Sequence, residues 1–516
     1  MKRCPQCNRV ETDETLNFCR ADGAPLVVTE ATESESATMA LPGSRPSEEF
    51  TTGRLADAPS IAVLPFVNMS ADPENEYFCD GLAEELLNAL AKIDELKVAA
   101  RTSTFSFKGK NVDVSEIGRA LKVRTILEGS VRKSGNRMRI TVQLVNAADG
   151  YHLWSERYDR EMQDIFDVQD EITLNVVAAL KLKLLGEEKA AVLKRYTHNA
   201  EAYQLYLRGR FFFTKRTPEA FQKAIEYFGQ AIELDTEYAL AYSGLADCQI
   251  FLGFYELMAP AEAEKHLLAS AFKSLDLDDT VAETHNSVAL YKSMYQWDFS
   301  GADKAHQRAL SLNPKYAYGH HSNSVTLSLQ GLCDEAIAAE KRAIELEPFT
   351  AILNAALGWW YYLARRNDEA IEQSLRTIEI APNHFFAHWV LGLAYGQAGK
   401  YEDAVAELRK ATTLTGWSQY IRGDLGRIYG QKGQRDEALK LLAEFREQAK
   451  EQYVSPVNLA KVYAGLGENE QVFEQLERAC EERSVKLPWF MLDPCLDTLR
   501  ADPRFADLVK RIGLPQ

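Results

Sequence analysis

The stretch PNHFFAHWVLGLAYGQAGKYEDAVAELRKA (382–411) decides the fold, because its small and aromatic residues recur at one fixed interval. Ala404 belongs to the series Ala302, Ala336, Ala370, Ala404, Ala438, spaced 34 residues apart. The same phase holds Pro314, Pro348 and Pro382, as well as Gly358, Gly392 and Gly426. It also holds Leu357, Leu391 and Leu425, with Tyr361, Tyr395 and Tyr429. Five residue types in one phase mark a structural unit: two helices that approach closely at Gly and Ala, the second ended by Pro. Outward from this stretch the copies become less regular, as in AIEYFGQAIELD (224–235) and GADKAHQRALSLNP (301–314). About eight units are predicted over 196–490, stacked into an all-α superhelix with a concave face.

The 34-residue unit resembles the tetratricopeptide repeat, a similarity that covers more than half of the chain and implies a protein partner in the groove. By repeat phase, Tyr318, His321, Trp359, Tyr362, Phe386, Trp389 and Tyr420 fall on the first-helix face that lines such a groove. Rigid aromatics on a concave surface anchor a bound segment; the competing reading packs them between adjacent repeats. The tail, 491–516, carries Asp493-Pro494 and Asp502-Pro503. An acid before a proline is a helix start, so two short capping helices are expected to seal the last repeat.

Residues 59–190 read as an α/β domain. IAVLPF (61–66) is an apolar strand, GLAEELLNALAKI (81–93) an amphipathic helix and LKVAAR (96–101) a second strand. DVSEIGRALK (113–122) gives another helix. Ser134-Gly135-Asn136 and Asp149-Gly150 are turns between alternating runs, hence a three-strand meander, which DEITLNVVAALKLKLL (170–185) closes as a helix. The runs IAVLPFVNMSADPENEYFCDGLAEELLNAL, LEGSVRKSGNRMRITVQLVNAADGYHLWSERYD and DIFDVQDEI are similar to the TolB amino-terminal-like domain. That resemblance implies an α/β fold in a bacterial signalling setting and no known chemistry. In the family the domain often follows an adenylate cyclase, a kinase or a winged-helix module; here the stretch before it is a cysteine motif and a linker.

The cysteine motif is MKRCPQCNRVETDETLNFCRADGAPL. Cys4 and Cys7 form a C-x-x-C pair, half of a tetrahedral zinc site. Cys19 starts the second half, but Asp22 stands where a fourth cysteine would. The motif resembles small bacterial zinc ribbons, with Gly23 and Leu26 also matching. One structural Zn2+ is expected over 1–27, with Asp22 or water completing the site, since so short a segment has too little core to fold without metal. Residues 28–58, rich in Ser, Thr, Glu, Ala and Pro, are expected to be a disordered linker.

Composition narrows the function. The 516 residues carry 59 Lys and Arg against 75 Asp and Glu, a net charge of −16. That argues against a chain-wide nucleic-acid surface. No apolar run reaches membrane-spanning length, and the N-terminus has no apolar leader. Five scattered cysteines read as buried hydrophobes in a reducing cytoplasm. The tempting chemistry dissolves on inspection. His384 and His388 have i, i+4 spacing, yet Phe385 stands where a metalloprotease needs Glu, and His388 is in phase with His320. GLAYGQAG (392–399) follows no strand and is no dinucleotide loop. Glu84-Glu85 reads as a solvated helix face and Cys79 as a buried filler. A non-enzymatic, cytoplasmic scaffold or signalling regulator is therefore expected. The alternatives are a nucleic-acid-linked or transcription-linked regulator reading through the ribbon, and an enzyme or small-ligand sensor in the α/β domain.

Overall fold

A computed structural model describes residues 58–515, together with three short strands near the N-terminus: β1 (Lys2–Arg3), β2 (Val10–Glu11) and β3 (Val27–Val28). The chain divides into two units, Met1–Ala56 and Asp57–Gln516. In the first, β1 pairs antiparallel with both β2 and β3. The cysteine motif and the linker otherwise lie outside the described residues.

The second unit starts with a mixed sheet. Its strands are β4 (Ser60–Val63), β5 (Val67–Asn68), β6 (Lys97–Val98), β7 (Thr125–Ser134), β8 (Arg137–Asn146) and β9 (His152–Glu161). The order is β6-β4-β7-β8-β9, with β5 paired to β7. β4 runs parallel to both neighbours, and all four of its residues are buried. That is why its sequence is continuously apolar instead of alternating. β7, β8 and β9 form the antiparallel meander, turning at Gly135 and Gly150, which both have positive φ.

Helices α1 (Glu76–Ala91), α2 (Arg101–Phe105), α3 (Val114–Leu121) and α4 (Ile165–Ala179) complete this part. Leu82, Leu86 and Leu90 of α1 share a core with Val168, Ile172 and Val176 of α4. The strand expected at 96–101 is shorter than predicted. β4 offers pairing only at Ser60 and Ile61, opposite Lys97 and Val98. Beyond them the chain turns into α2, with Arg101 Nε donating to Glu84 Oε2 at 2.8 Å.

After α5 (Gly186–Val192) come eight helical pairs: α6/α7 (Ala200–Phe213, Pro218–Leu234), α8/α9 (Ala239–Phe254, Pro260–Leu277), α10/α11 (Ala282–Tyr291, Phe299–Leu312) and α12/α13 (Ala317–Leu329, Cys333–Leu346). The other four are α14/α15 (Ala351–Leu363, Asn367–Ile380), α16/α17 (Phe385–Gln397, Tyr401–Thr415), α18/α19 (Gln419–Gln431, Arg435–Gln448) and α20/α21 (Pro456–Leu466, Asn469–Glu481). Ala302, Ala336, Ala370, Ala404 and Ala438 have no exposed surface. At Gly392 a Cβ would lie 2.7 Å from Leu408 Cγ. The 34-residue phase is thus a phase of helix crossings. The phased histidines close turns. His320 Nε2 lies 3.1 Å from the Pro314 carbonyl and His388 Nε2 2.9 Å from that of Pro382. Asn354 Nδ2 donates to the Pro348 carbonyl at 3.0 Å from the equivalent position.

The α/β part rests on the turns between pairs. Lys315 Nζ donates to the carbonyls of Ile93 (3.3 Å) and Leu96 (3.2 Å), just past the end of α1. Lys194 pairs with Asp278 at 2.6 Å, and Thr102 bonds Glu347 and Thr350. The tail forms α22 (Leu487–Leu492), a 3-10 turn at Pro494–Leu499 and α23 (Pro503–Ile512). Asp493 and Asp502 cap their helix starts, accepting from the amides of Cys495 and Arg504. α23 covers α21, with Arg504–Glu470 and Arg511–Glu477 pairs at 2.8 and 2.6 Å.

A buried and a half-buried histidine make the repeats acid-sensitive. His306, 2% exposed, has Nε2 2.9 Å from Thr326 Oγ1, and burial pushes its pKa down to about 3. His384 is lowered to about 4, mainly by burial. Each is neutral when folded and takes up a proton on unfolding near its ordinary pKa of ~6.5. Stability therefore falls as pH drops from about 6.5 toward 4, by up to ~1.4 kcal/mol per pH unit for each histidine. His306→Gln should remove about half of that slope, read by denaturant melts at pH 6.5, 5.5 and 4.5. An unchanged slope would mean that His306 is charged in the folded protein.

Candidate functional site

The inner face of the pairs is built from first helices, and the predicted aromatics do converge there. Trp359 of α14 lies 5.6 Å from Phe386 and 5.0 Å from Trp389 of α16, ring centre to ring centre. Phe386 stacks on Trp389 at 5.0 Å, and Trp389 meets Tyr420 of α18 at 5.5 Å. The phase places these side chains on neighbouring helices, and their rings do form one stripe.

The stripe is not an open groove. Trp359 is 3% exposed, Trp389 2% and Tyr362 1%; Phe386 and Tyr420 are also buried. The cover is the chain's own tail. α22 turns into the inner face and sets Trp489 4.9 Å from Trp359 and 5.9 Å from Phe254, at the end of α8. Trp489 Nε1 donates to Ser328 Oγ of α12 at 2.9 Å. Tyr362 donates to Asp493 Oδ1 at 2.8 Å, and Arg365 pairs with Asp497 at 2.6 Å. The expectation of an exposed aromatic groove is corrected accordingly: an apolar stripe of this size buries itself when a tethered tryptophan is within reach. Tyr318 and His321 on α12 are half-buried. His321 Nδ1 lies 2.9 Å from Glu340, which also accepts from Trp360 Nε1 at 3.3 Å.

Beside the stripe lies a buried set of charges that sequence reasoning missed. Asp424, Glu256 and Asp493 face Lys461, Arg427 and Lys486, all with 7% exposure or less. Lys461 Nζ pairs with Asp424 Oδ2 at 2.8 Å and sits 2.9 Å from the centre of the Tyr420 ring. Arg427 Nε is 3.5 Å from Asp424 Oδ1, and Trp389 Nε1 donates to Asp424 Oδ2 at 2.8 Å. Asn458 Nδ2 donates to Glu256 Oε2 at 2.7 Å. Lys486 Nζ lies over Phe254 at 3.2 Å and Tyr420 at 4.8 Å, with Trp489 at 5.3 Å. Burial lowers the pKa of Lys461 and pushes that of Lys486 well down; it raises that of Glu256. Three acids against three bases, with aromatic faces between them, is a structural balance. Burial pushes the Cys79 thiol up to about 12, and Glu84 is paired with Arg101 and Arg210. Among the described residues no group of three or more His, Cys, Asp or Glu is arranged to hold a metal.

A concave surface on the last repeats is open. Gly430 and Gly465 bring α18 and α20 into backbone contact; a Cβ on Gly465 would lie 2.2 Å from the Arg427 carbonyl oxygen. This close crossing leaves a groove of about 590 Å³ between α19 and α21. Leu439, Leu459, Tyr463 and Leu466 line it, with Arg446 and Arg478 among its polar groups. Leu439 is 42% exposed, and Arg446 Nη2 donates to Tyr463 Oη at 2.6 Å.

Residues 56–175 match the family of the HilA/YgeH-like transcriptional regulator, second domain, and residues 397–457 match the tetratricopeptide repeat. The chain is 38% identical to the putative adenylate cyclase 3 of Rhizobium meliloti (strain 1021) over 239 residues, 46% of this chain and 40% of that protein. It is 22% identical to the transcriptional regulator HilA of Salmonella typhimurium over 313 residues, 59% of this chain and 53% of the relative. The chain thus spans about half the length of the curated relatives it matches. Among solved structures, MamA is 26% identical, covering 31% of this chain and 95% of its own, with a TM-score of 0.27. No helix of the described residues is long and apolar enough to cross a membrane. The helical pairs within residues 397–457 match the tetratricopeptide repeat, and the other pairs keep its two-helix pattern.

Proposed function

We propose that this chain is a non-enzymatic regulator that holds a partner protein on its repeats, at the groove between α19 and α21. The observation that carries the reading is the groove itself: Leu439, Leu459 and Leu466 form an apolar floor, rimmed by Arg446 and Arg478 together with Glu468 and Glu474, left open while the aromatic inner stripe is filled from within. An amphipathic partner segment fits such a surface, its apolar side on Leu439 and Leu459 and its acidic side toward Arg446 and Arg478. The partner is held in the cytoplasm, the compartment in which scattered cysteines stay reduced.

A second reading is favoured by the match of residues 56–175 to a domain of transcriptional regulators. In it the α/β part, expected from its sequence to resemble the TolB amino-terminal-like domain, serves a transcription-linked assembly. Residues 1–27 would then be the nucleic-acid reader, a zinc ribbon holding one structural Zn2+ through Cys4, Cys7, Cys19 and Asp22. An adenylate cyclase activity does not follow from the relative of that name, because this chain spans only 40% of it.

Leu439→Glu combined with Arg446→Glu should weaken capture of the partner from native lysate by about 30-fold or more, a hot-spot effect of ~2 kcal/mol. The melting temperature should stay within a degree or two, since Leu439 is exposed. Equal capture by parent and variant would contradict the groove. Metal analysis of the full chain should find close to one zinc per chain, lost in Cys7→Ser. A parent chain free of zinc would overturn the ribbon.

A further inference from the structure

Strand β9 ends the sheet. It pairs with β8 on one side, and among the described residues no strand pairs with its other side. It is ten residues long, and only Trp154 and Tyr158 are covered. A long free edge is a template for pairing with another chain unless it is blunted. Its charges are of both signs and follow an order.

The free backbone groups follow from the ladder. Met162 N donates to the Asn136 carbonyl at 2.8 Å, so residue 162 points its amide at the β8 side. Antiparallel pairs alternate, so Arg160, Tyr158 and Glu156 bond to β8, while Glu161, Asp159, Arg157 and Ser155 turn their N–H and C=O groups outward. The sequence of that edge is Glu156-Arg157-Tyr158-Asp159-Arg160. Read outward from Tyr158 in the two directions, every charge meets its opposite: Arg157 against Asp159, and Glu156 against Arg160.

The geometry points to β9 as a homodimer interface, in which the β9 strands of two copies pair antiparallel about a two-fold axis at Tyr158. In this register Arg157 lies opposite Asp159 of the second copy and Glu156 opposite Arg160 of the second copy. The two-fold axis repeats each pair, making four opposite-charge cross-strand pairs. The outward groups of residues 155, 157, 159 and 161 meet their counterparts as hydrogen-bonded positions. Moving the axis by one residue sets Arg157 against Arg157 or Asp159 against Asp159, so the charges select a single register. Charge that merely blunted the edge would need no such inversion symmetry. Arg157 is 65% and Arg160 43% exposed, and the pairs they make now, to Asp159 at 3.4 Å and Glu171 at 3.5 Å, are exposed and weakly held. Asp159 also pairs with Arg139 at 2.6 Å, and Glu156 accepts from Tyr158 and Asn175, each at 3.1 Å, so dimerisation shares or replaces these contacts. The sheet would run through both copies, with Glu161 opposite Ser155 at the end of the paired stretch.

The test is sedimentation equilibrium on the full chain from about 1 to 100 μM, with two single variants, Arg157→Asp and Asp159→Arg. The parent should dimerise, more weakly at high salt. Each variant alone opposes like charges twice and should dissociate the dimer by tenfold or more. Mixed in equal amounts, the two variants restore every opposite-charge pair, and a heterodimer should form. That mixture also proves both variants folded. A parent that stays monomeric at 100 μM overturns the proposal. So do single variants that dimerise as well as the parent, or dissociated variants whose mixture forms no heterodimer.

Discussion

Trp489 ties together helices that the chain otherwise keeps far apart. Its ring touches Trp359 of α14 and Phe254 of α8, and its indole N–H reaches Ser328 of α12. A superhelix of stacked pairs has contacts mainly between neighbours, and its stability grows pair by pair. A tail residue that bridges α8, α12 and α14 adds long-range contact across the inner face. The repeats therefore form a closed core here instead of an open spring, and what a partner can reach is changed with it.

Closing the inner face sets an electrostatic condition. Glu256, Asp424 and Asp493 are removed from water together with Lys461, Arg427 and Lys486. Each ion alone would cost several kcal/mol to bury. Asp424 takes Lys461 and Arg427 as partners, and the ammonium groups of Lys461 and Lys486 lie on the faces of Tyr420 and Phe254, which offsets part of that cost. Such a set gives little net stability, but it penalises any other packing of α18, α20 and the tail, because one misplaced partner leaves a bare buried charge. It specifies which arrangement forms more than how tightly it forms.

The repeat phase was legible in the sequence because a helix crossing has room only for small residues, so Ala404 and Gly392 recur wherever the geometry does. The aromatic stripe was legible for the same reason. What covers it was not. Trp489 is 130 residues from Trp359, in a segment with no repeat phase, and nothing local marks an aromatic for the inner face rather than for a cap. Lys461 looks like an ordinary surface residue of an amphipathic helix and Lys486 like one of a connecting turn; only the fold puts them beside Asp424 and Glu256. The strand expected at 96–101 stopped early because the chain enters α2 at Arg101, whose side chain bonds Glu84 of α1, a contact that LKVAAR itself does not announce.

The central claim is that the tail completes the repeat core, and shortening the chain tests it most directly. A chain ending at Arg483 should lose its cooperative melting transition or shift it down by more than about 10 °C, since Leu487, Trp489, Phe490 and Met491 leave cavities worth several kcal/mol each. A synthetic peptide of residues 484–516 added in trans should restore the transition. An unchanged transition in the shortened chain, with no binding of the peptide, would contradict the account.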